Sequence, residues 1–208
     1  TQVGEDRVIL GLSGGVDSAV AACLLKRQGY EVAGVTMCLG LEVRDERGTR
    51  CCGPREIEDA RLICDFLGIP HHVVDFAAEL KTFVIDPFIA EYGAGRTPNP
   101  CVECNRSIKF GTLLELAFSL KFDYLATGHY AAVRKTGERC HLLRPKDKKK
   151  DQTYFLSGVP RQSLGHVIFP LANLTKDEVR RIAQEEGLPV SAKKESQDIC
   201  FIPRGNTG

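Results

Sequence analysis

Three stretches of this 208-residue chain combine residue types that could do chemistry. In Ser13-Gly14-Gly15-Val16-Asp17-Ser18, two adjacent glycines let the backbone aim successive N–H groups at an anion, and two hydroxyls add donors. Such a loop can hold a phosphate chain without a lysine of its own. The string is neither Gly-x4-Gly-Lys-Ser/Thr nor Gly-x-Gly-x2-Gly, so it is neither a Walker site nor a dinucleotide fingerprint. The bland alternative is an ordinary glycine-rich turn in which Asp17 caps a helix.

The second stretch is Thr97-Pro98-Asn99-Pro100-Cys101-Val102-Glu103-Cys104-Asn105. Its prolines predict an extended loop leading into Cys-x2-Cys, with a helix starting near Ser107. Thiols near a helix N-terminus tend to lower pKa values and serve as nucleophiles or ligands. A lone Cys-x2-Cys is shared by zinc knuckles, redox pairs and iron–sulfur sites. No second pair stands at zinc-ribbon spacing, because Cys51 and Cys52 are adjacent and chelate a tetrahedral ion poorly. The third stretch, Ser196 to Pro203, carries Cys200.

Nine cysteines in a chain with no signal-peptide pattern and no membrane-length apolar run point to a cytoplasmic setting of reduced thiols, and to metal or sulfur chemistry more than a disulfide framework. Cys23 and Cys64 fall on apolar helix faces and read as core. The net charge of +1 gives no sign of a general polyanion-binding surface. Any nucleic-acid contact must therefore be local, and Arg144 to Gln152, with four lysines and an arginine, is the candidate. Its alternative is a solvated loop.

Positioning these residues requires an α/β fold. Apolar β-rich runs predict strands at Arg7 to Leu12, Glu31 to Met37, His71 to Phe76 and Tyr124 to Thr127. Helical periodicity at Val16, Ala19, Val20, Cys23 and Leu24, closed by Gly29, puts a helix directly after the glycine loop. A second helix is expected over Glu56 to Leu67. A third begins at the capping box Thr175-Lys176-Asp177-Glu178 and stops at Gly187-Leu188-Pro189. Residues 1–165 are expected to form the catalytic domain, and 166–208 a helical extension bringing Cys200.

The Ser-Gly-Gly-x-Asp-Ser loop resembles that of the ATP pyrophosphatase (PP-loop) superfamily. With Gly95 to Pro100, Cys104-Asn105, Lys109-Phe110, Ala126 to Tyr130, Lys150-Asp151-Gln152 and Ser196 to Phe201, all in order, the chain resembles the tRNA-specific 2-thiouridylases from about Val8 to Pro203. That likeness implies a Rossmann-like parallel sheet sandwiched by helices, of adenine nucleotide alpha hydrolase type. It also implies only the catalytic portion, with the family's C-terminal β domains absent.

The same resemblance implies a reaction and a site. ATP would adenylate the C2 oxygen of a wobble uridine, and sulfur would displace AMP to leave 2-thiouridine. Gly11, Leu12, Ser13, Gly14, Gly15, Val16, Asp17 and Ser18 would hold ATP, Met37 and Gly128 would touch the nucleotide, and Asp17 would help bind Mg²⁺. His129 is either a cleft contact or a structural histidine. Asn99, Pro100, Cys101, Lys150, Asp151 and Gln152 would meet the anticodon region of tRNA.

Cys200 would receive a persulfide that Cys104 releases. Many members of the family carry Asp where this chain has Cys101. The preferred reading is therefore a [4Fe-4S] cluster on Cys101, Cys104 and Cys200 that binds hydrosulfide; the alternative is the persulfide route, with sulfur from a carrier protein. Rival readings are another adenylating synthetase or amidotransferase of the superfamily, and a non-catalytic iron–sulfur or nucleotide-binding module.

Overall fold

The computed structural model describes residues 6–45, 48–51, 54–194 and 200–201; Ser196 to Ile199 and Ile202-Pro203 of the third stretch lie outside them. In chain order the strands are β1 Arg7–Gly11, β2 Glu31–Cys38, the hairpin β3 Glu42–Asp45 and β4 Gly48–Cys51, β5 His71–Asp75, β6 Tyr124–Thr127, the hairpin β7 Ala132–Thr136 and β8 Arg139–Leu143, and β9 Val167–Ile168. The helices are α1 Val16–Arg27, α2 Pro54–Leu67, α3 Ala77–Leu80, α4 Asp86–Gly93, α5 Pro100–Glu103, α6 Leu113–Ser119 and α7 Lys176–Glu185. A π-helical turn at Lys81–Ile85 joins α3 to α4, and a longer one at Cys104–Thr112 joins α5 to α6.

Five strands form one parallel sheet in the order β5-β2-β1-β6-β9. Period-2 alternation along β1 sends its side chains into two cores. Val8, Leu10 and Leu12 join a cluster with Ala19, Ile63 and Val179, from α1, α2 and α7. Ile9 joins the other, with Leu80, Ile108 and Leu113. Helices therefore cover both faces, as an all-parallel sheet requires.

The chain leaves β1 toward β2 on one side and later returns through β6 on the other, so the strand order reverses at β1. Open α/β sheets bind ligands in the crevice at the C-terminal strand ends beside such a reversal. The loop at 12–15, Met37 at the end of β2 and the 128–131 turn after β6 all lie at those ends. Beyond residue 165, β9 pairs with β6 and α7 packs on α1.

The expected strands are all present, with ends within about a residue of their anticipated positions. One helix start differs: α5 begins at Pro100, so Cys101 and Cys104 ride on helical turns. Asn99 explains this, because its side chain caps the new N-terminus and Pro100 is pre-set for the first helical position. Cys23 and Cys64 are buried core thiols, as read. Cys38 is disulfide-bonded, which the expectation of reduced thiols did not include. No described helix is long and apolar enough to cross a membrane.

Candidate active site

The Ser13–Ser18 loop, the candidate phosphate site, is shaped by backbone. Leu12 N–H donates to the Val35 carbonyl at 2.8 Å, and Gly14 then turns through a positive φ of 68°. A Cβ at Gly14 would stand 2.5 Å from the Glu56 carbonyl oxygen, so only glycine fits between the loop and α2. Ser18 Oγ donates to the Gly15 carbonyl at 3.0 Å and lies 3.4 Å from Ser13 Oγ. Helix α1 starts after Gly15 with no side-chain cap of its own, so its first N–H groups and its positive dipole end are available to an anion.

The turn after β6 closes on this loop. At Gly128 a Cβ would meet the backbone of Asp17 and Ser18 at 2.9 Å, so the two segments touch main chain to main chain. The neighbouring His129 accepts or shares a hydrogen bond with Thr127 Oγ1 at 2.7 Å and sits between Phe110 and Phe169. Burial, reinforced by Lys109, pushes its pKa well down. The bond to Thr127 is what the structural reading of His129 expects.

Two lysines that sequence reasoning passed over reach the loop. Lys176 Nζ donates to both Asp17 oxygens at 2.7 Å, and Tyr130 OH donates to Asp17 Oδ1 at 2.9 Å. Lys193 Nζ bonds the Gly14 carbonyl at 3.0 Å and Asp59 Oδ2 at 2.5 Å. Lys176 follows the capping residue Thr175, and its own amide is held by Asp147 Oδ2 at 2.9 Å. That bond is the main reason the Asp147 carboxyl lies below its usual range. The capping box was the visible signal for α7; the 159-residue separation from Asp17 hid its target.

This arrangement bears on the magnesium expectation. A carboxylate offers about four lone-pair positions, and three on Asp17 are taken by Lys176 and Tyr130. Asp17 is thus an ion-paired residue and, as arranged, does not fit a magnesium ligand. Nearby, Gln152 Oε1 accepts from Tyr130 N–H at 2.8 Å, and Asp151 Oδ1 accepts from Thr153 at 2.6 Å and 3.0 Å. Gln152 therefore braces the Tyr130 turn, Asp151 holds Thr153, and Lys150 ends a short 3-10 turn.

At the thiol end, Asn99 Oδ1 accepts from Cys101 N–H at 3.0 Å and Val102 N–H at 3.3 Å. The π-helical stretch that follows is a rare conformation frequent at functional sites. Within it Asn105 is buried and donates to the Phe155 carbonyl at 2.9 Å, while its Oδ1 has no partner among the described residues.

Cys101, Cys104 and Cys200 come into one neighbourhood. Protein crowding raises the Cys101 pKa, with Cys104 adding to the rise and Lys109 opposing it. The same crowding, with Cys104 and Cys101 as charged neighbours, pushes Cys200 up to about 11, although residue 200 keeps an exposed side. The expectation of a lowered thiol pKa beside the helix N-terminus is therefore corrected for Cys101, where desolvation by burial is the largest effect. Phe201 packs edge-on against Phe88 at 5.6 Å, anchoring the Cys200 segment to α4. Beside it opens a cleft of ≈ 360 Å³ lined by Phe88, Pro98, Asn99, Pro100, Val102 and Tyr154, among others.

Comparison with known proteins gives consistent likenesses. The model of the tRNA methyl transferase HUP domain matches residues 6–204. The tRNA-specific 2-thiouridylase MnmA 1 of Syntrophus aciditrophicus (strain SB) is 59% identical over 198 residues, 95% of this chain and 53% of that protein. The tRNA-specific 2-thiouridylase MnmA of Clostridium botulinum (strain Alaska E43 / Type E3) is 50% identical over 206 residues, 98% of this chain and 57% of that protein. The chain thus spans about half the length of the curated relatives it matches. Among solved structures, a 4-thiouridine synthetase–RNA complex with bound ATP is similar in fold, with a TM-score of 0.58 and 21% identity over 96% of this chain and 46% of that one. A glutamine-dependent NAD+ synthetase from Acinetobacter baumannii in complex with ADP has a TM-score of 0.57 and 18% identity over 92% of this chain and 32% of that one.

Proposed function

Since this chain belongs to the tRNA methyl transferase HUP domain family, we propose that it is the ATP-using, sulfur-transferring part of a tRNA 2-thiouridylase. The observation that carries this reading is the convergence of Cys101, Cys104 and Cys200 in a fold that also builds a phosphate loop. Among superfamily chemistries, sulfur transfer is the one that needs thiols.

In this reading Gly11 to Ser18 hold the triphosphate of ATP, with Met37 and Gly128 beside the nucleoside. The tRNA uridine, swung out of its stack, enters by Asn99 and Pro100. Its C2 oxygen attacks the α-phosphorus and pyrophosphate leaves. A sulfur nucleophile then bonds to C2, the C2–O bond breaks, and AMP departs. Oxide could not leave directly, so adenylation makes the displacement feasible. Lys150, Asp151 and Gln152 are placed by this reading against the tRNA.

The reading of a [4Fe-4S] cluster rests on the mutual electrostatic influence of the three thiols; among the described residues no group of three or more His, Cys, Asp or Glu stands close enough to hold a metal ion. Cys101, Cys104 and Cys200 would hold the cluster, which when bound supplies an iron without a protein ligand where hydrosulfide can be kept. The protein's own part is to exclude water and aim the sulfur.

The test is oxygen-free purification followed by iron and sulfide analysis, then incubation with tRNA, ATP and sulfide and nucleoside mass spectrometry. About four irons per chain, lost in Cys101→Ala, together with 2-thiouridine formation, is the expected result. Iron-free protein that thiolates only when a persulfide-carrying protein replaces sulfide would move the sulfur to a Cys200 persulfide, which Cys104 attacks to release the sulfur and leave a Cys104–Cys200 disulfide. AMP and pyrophosphate formation without any 2-thiouridine, untouched by alanine at each of the three cysteines, would sink the thiolation reading and favour an ammonia-using synthetase.

A further inference from the structure

We propose that Lys176 is the phosphate-binding cation of the Gly11–Ser18 loop, supplied from α7, and that Asp17 is its positioning residue; this rests on the loop being an ATP site. Gly11 to Ser18 contain no lysine or arginine, yet a nucleoside triphosphate brings several negative charges. The backbone N–H groups there can orient phosphate oxygens but supply no full positive charge.

Lys176 is placed to supply it. Asp17 lies in the first turn of α1, where helical side chains lean toward the N-terminus and hence toward the loop. Lys176 Nζ is held there by both Asp17 oxygens at 2.7 Å and lies 6.0 Å from the centre of the Tyr130 ring. Its backbone is fixed from two further directions, by the Asp147 bond to its amide and by the Thr175–Glu178 capping box. The residue is 9% exposed.

A pair this withdrawn from water adds little to stability compared with apolar residues of the same size, so its location needs another reason. An unpaired carboxylate at the mouth of a phosphate loop would repel the ligand. Lys176 cancels that charge in the empty loop, and its flexible stem lets Nζ shift from Asp17 to a phosphate oxygen. Tyr130 then keeps its hydrogen bond to Asp17.

Calorimetric titration of the chain without tRNA tests this apart from catalysis. ATP and inorganic pyrophosphate should each bind Lys176→Met about tenfold or more weakly than the parent, with Lys176→Arg recovering part of the loss. Adenosine, which lacks phosphate, should bind all three alike. Arg181→Met removes an exposed charge from the same helix and should bind ATP as the parent does, which separates a local contact from net charge. The enhancement of ATP affinity by Mg²⁺ should persist in Asp17→Asn.

Lys176→Met or, where that variant does not fold, Lys176→Gln binding ATP within about twofold of the parent overturns the inference. So does loss of the Mg²⁺ enhancement in Asp17→Asn, which would make Asp17 a metal ligand. A parent chain that binds no ATP would instead bring down the reading of the loop on which the inference rests.

Discussion

At the phosphate loop the decisive contacts are to backbone: Gly14 against the Glu56 carbonyl, Gly128 against Asp17 and Ser18, and Leu12 N–H on Val35. At the thiol end they are between side chains, or from a side chain to a helix end: Asn99 on the first turn of α5, Phe201 on Phe88, and three cysteines influencing one another. A backbone-walled site has little freedom to relax. A side-chain site can yield locally, which suits the proposed entry of a uridine and a sulfur species. The difference predicts where substitution is costly.

Gly14→Ala should have the largest effect. Its Cβ would collide with main chain at 2.5 Å, in a φ of 68° that L-residues seldom adopt. A loss of about 3 kcal/mol or more is expected in urea unfolding, together with loss of ATP binding. Gly95, just before the thiol helix, has a comparable φ of 75° but nothing within 4 Å of an added Cβ. Gly95→Ala should cost only about 1 kcal/mol. Equal costs at the two glycines would break the contrast.

Gly128→Ala comes next, because its Cβ would press on backbone at 2.9 Å with φ in an ordinary range. About 2 kcal/mol of stability should be lost, and ATP affinity should fall more than tRNA affinity. At the thiol end, Asn99→Ala removes the acceptor for two first-turn amides and should cost about 1 kcal/mol. Equilibrium unfolding measures both. If Asn99→Ala proved the more damaging, the thiol helix would be the rigid part and the comparison would be inverted.

The same contrast decides what could be read from sequence. The loop is contiguous, and β1 and α1 follow from apolar periodicity on either side of it, so the strand ends and the string Ser13 to Ser18 were visible from local pattern, while Gly11 and Leu12 came in only through the family resemblance. Cys101 and Cys104 were visible too, although Asn99-Pro100 already carried the signature of a helix start that the expected boundary at Ser107 overlooked. Lys176 and Lys193 were not visible as loop residues. Nothing local links a lysine in a capping box to a carboxylate 159 residues earlier, and only packing of α7 on α1 brings them together. Two-residue β9 is too short for any period, and its strand character comes from pairing with β6.

The smallest expected effect probes the support of Lys176. Hydrogen bonds from Lys146 and then from Thr175 lower the Glu178 carboxyl from an ordinary 4.5 to about 2. A carboxylate whose folded pKa lies below its unfolded one stabilises the fold above the unfolded value. That contribution declines as pH falls from about 4.5 toward about 2. Unfolding midpoints recorded across this window should therefore drop more steeply for the parent than for Glu178→Gln, which keeps an amide oxygen for the cap but carries no titrating group. Because Glu178 is at the surface, the difference should be small and should shrink in high salt. Parallel acid profiles for the two proteins would mean that the ion pair with Lys146 contributes nothing to holding α7, leaving Thr175 and the apolar contact with α1 to aim Lys176 at the loop.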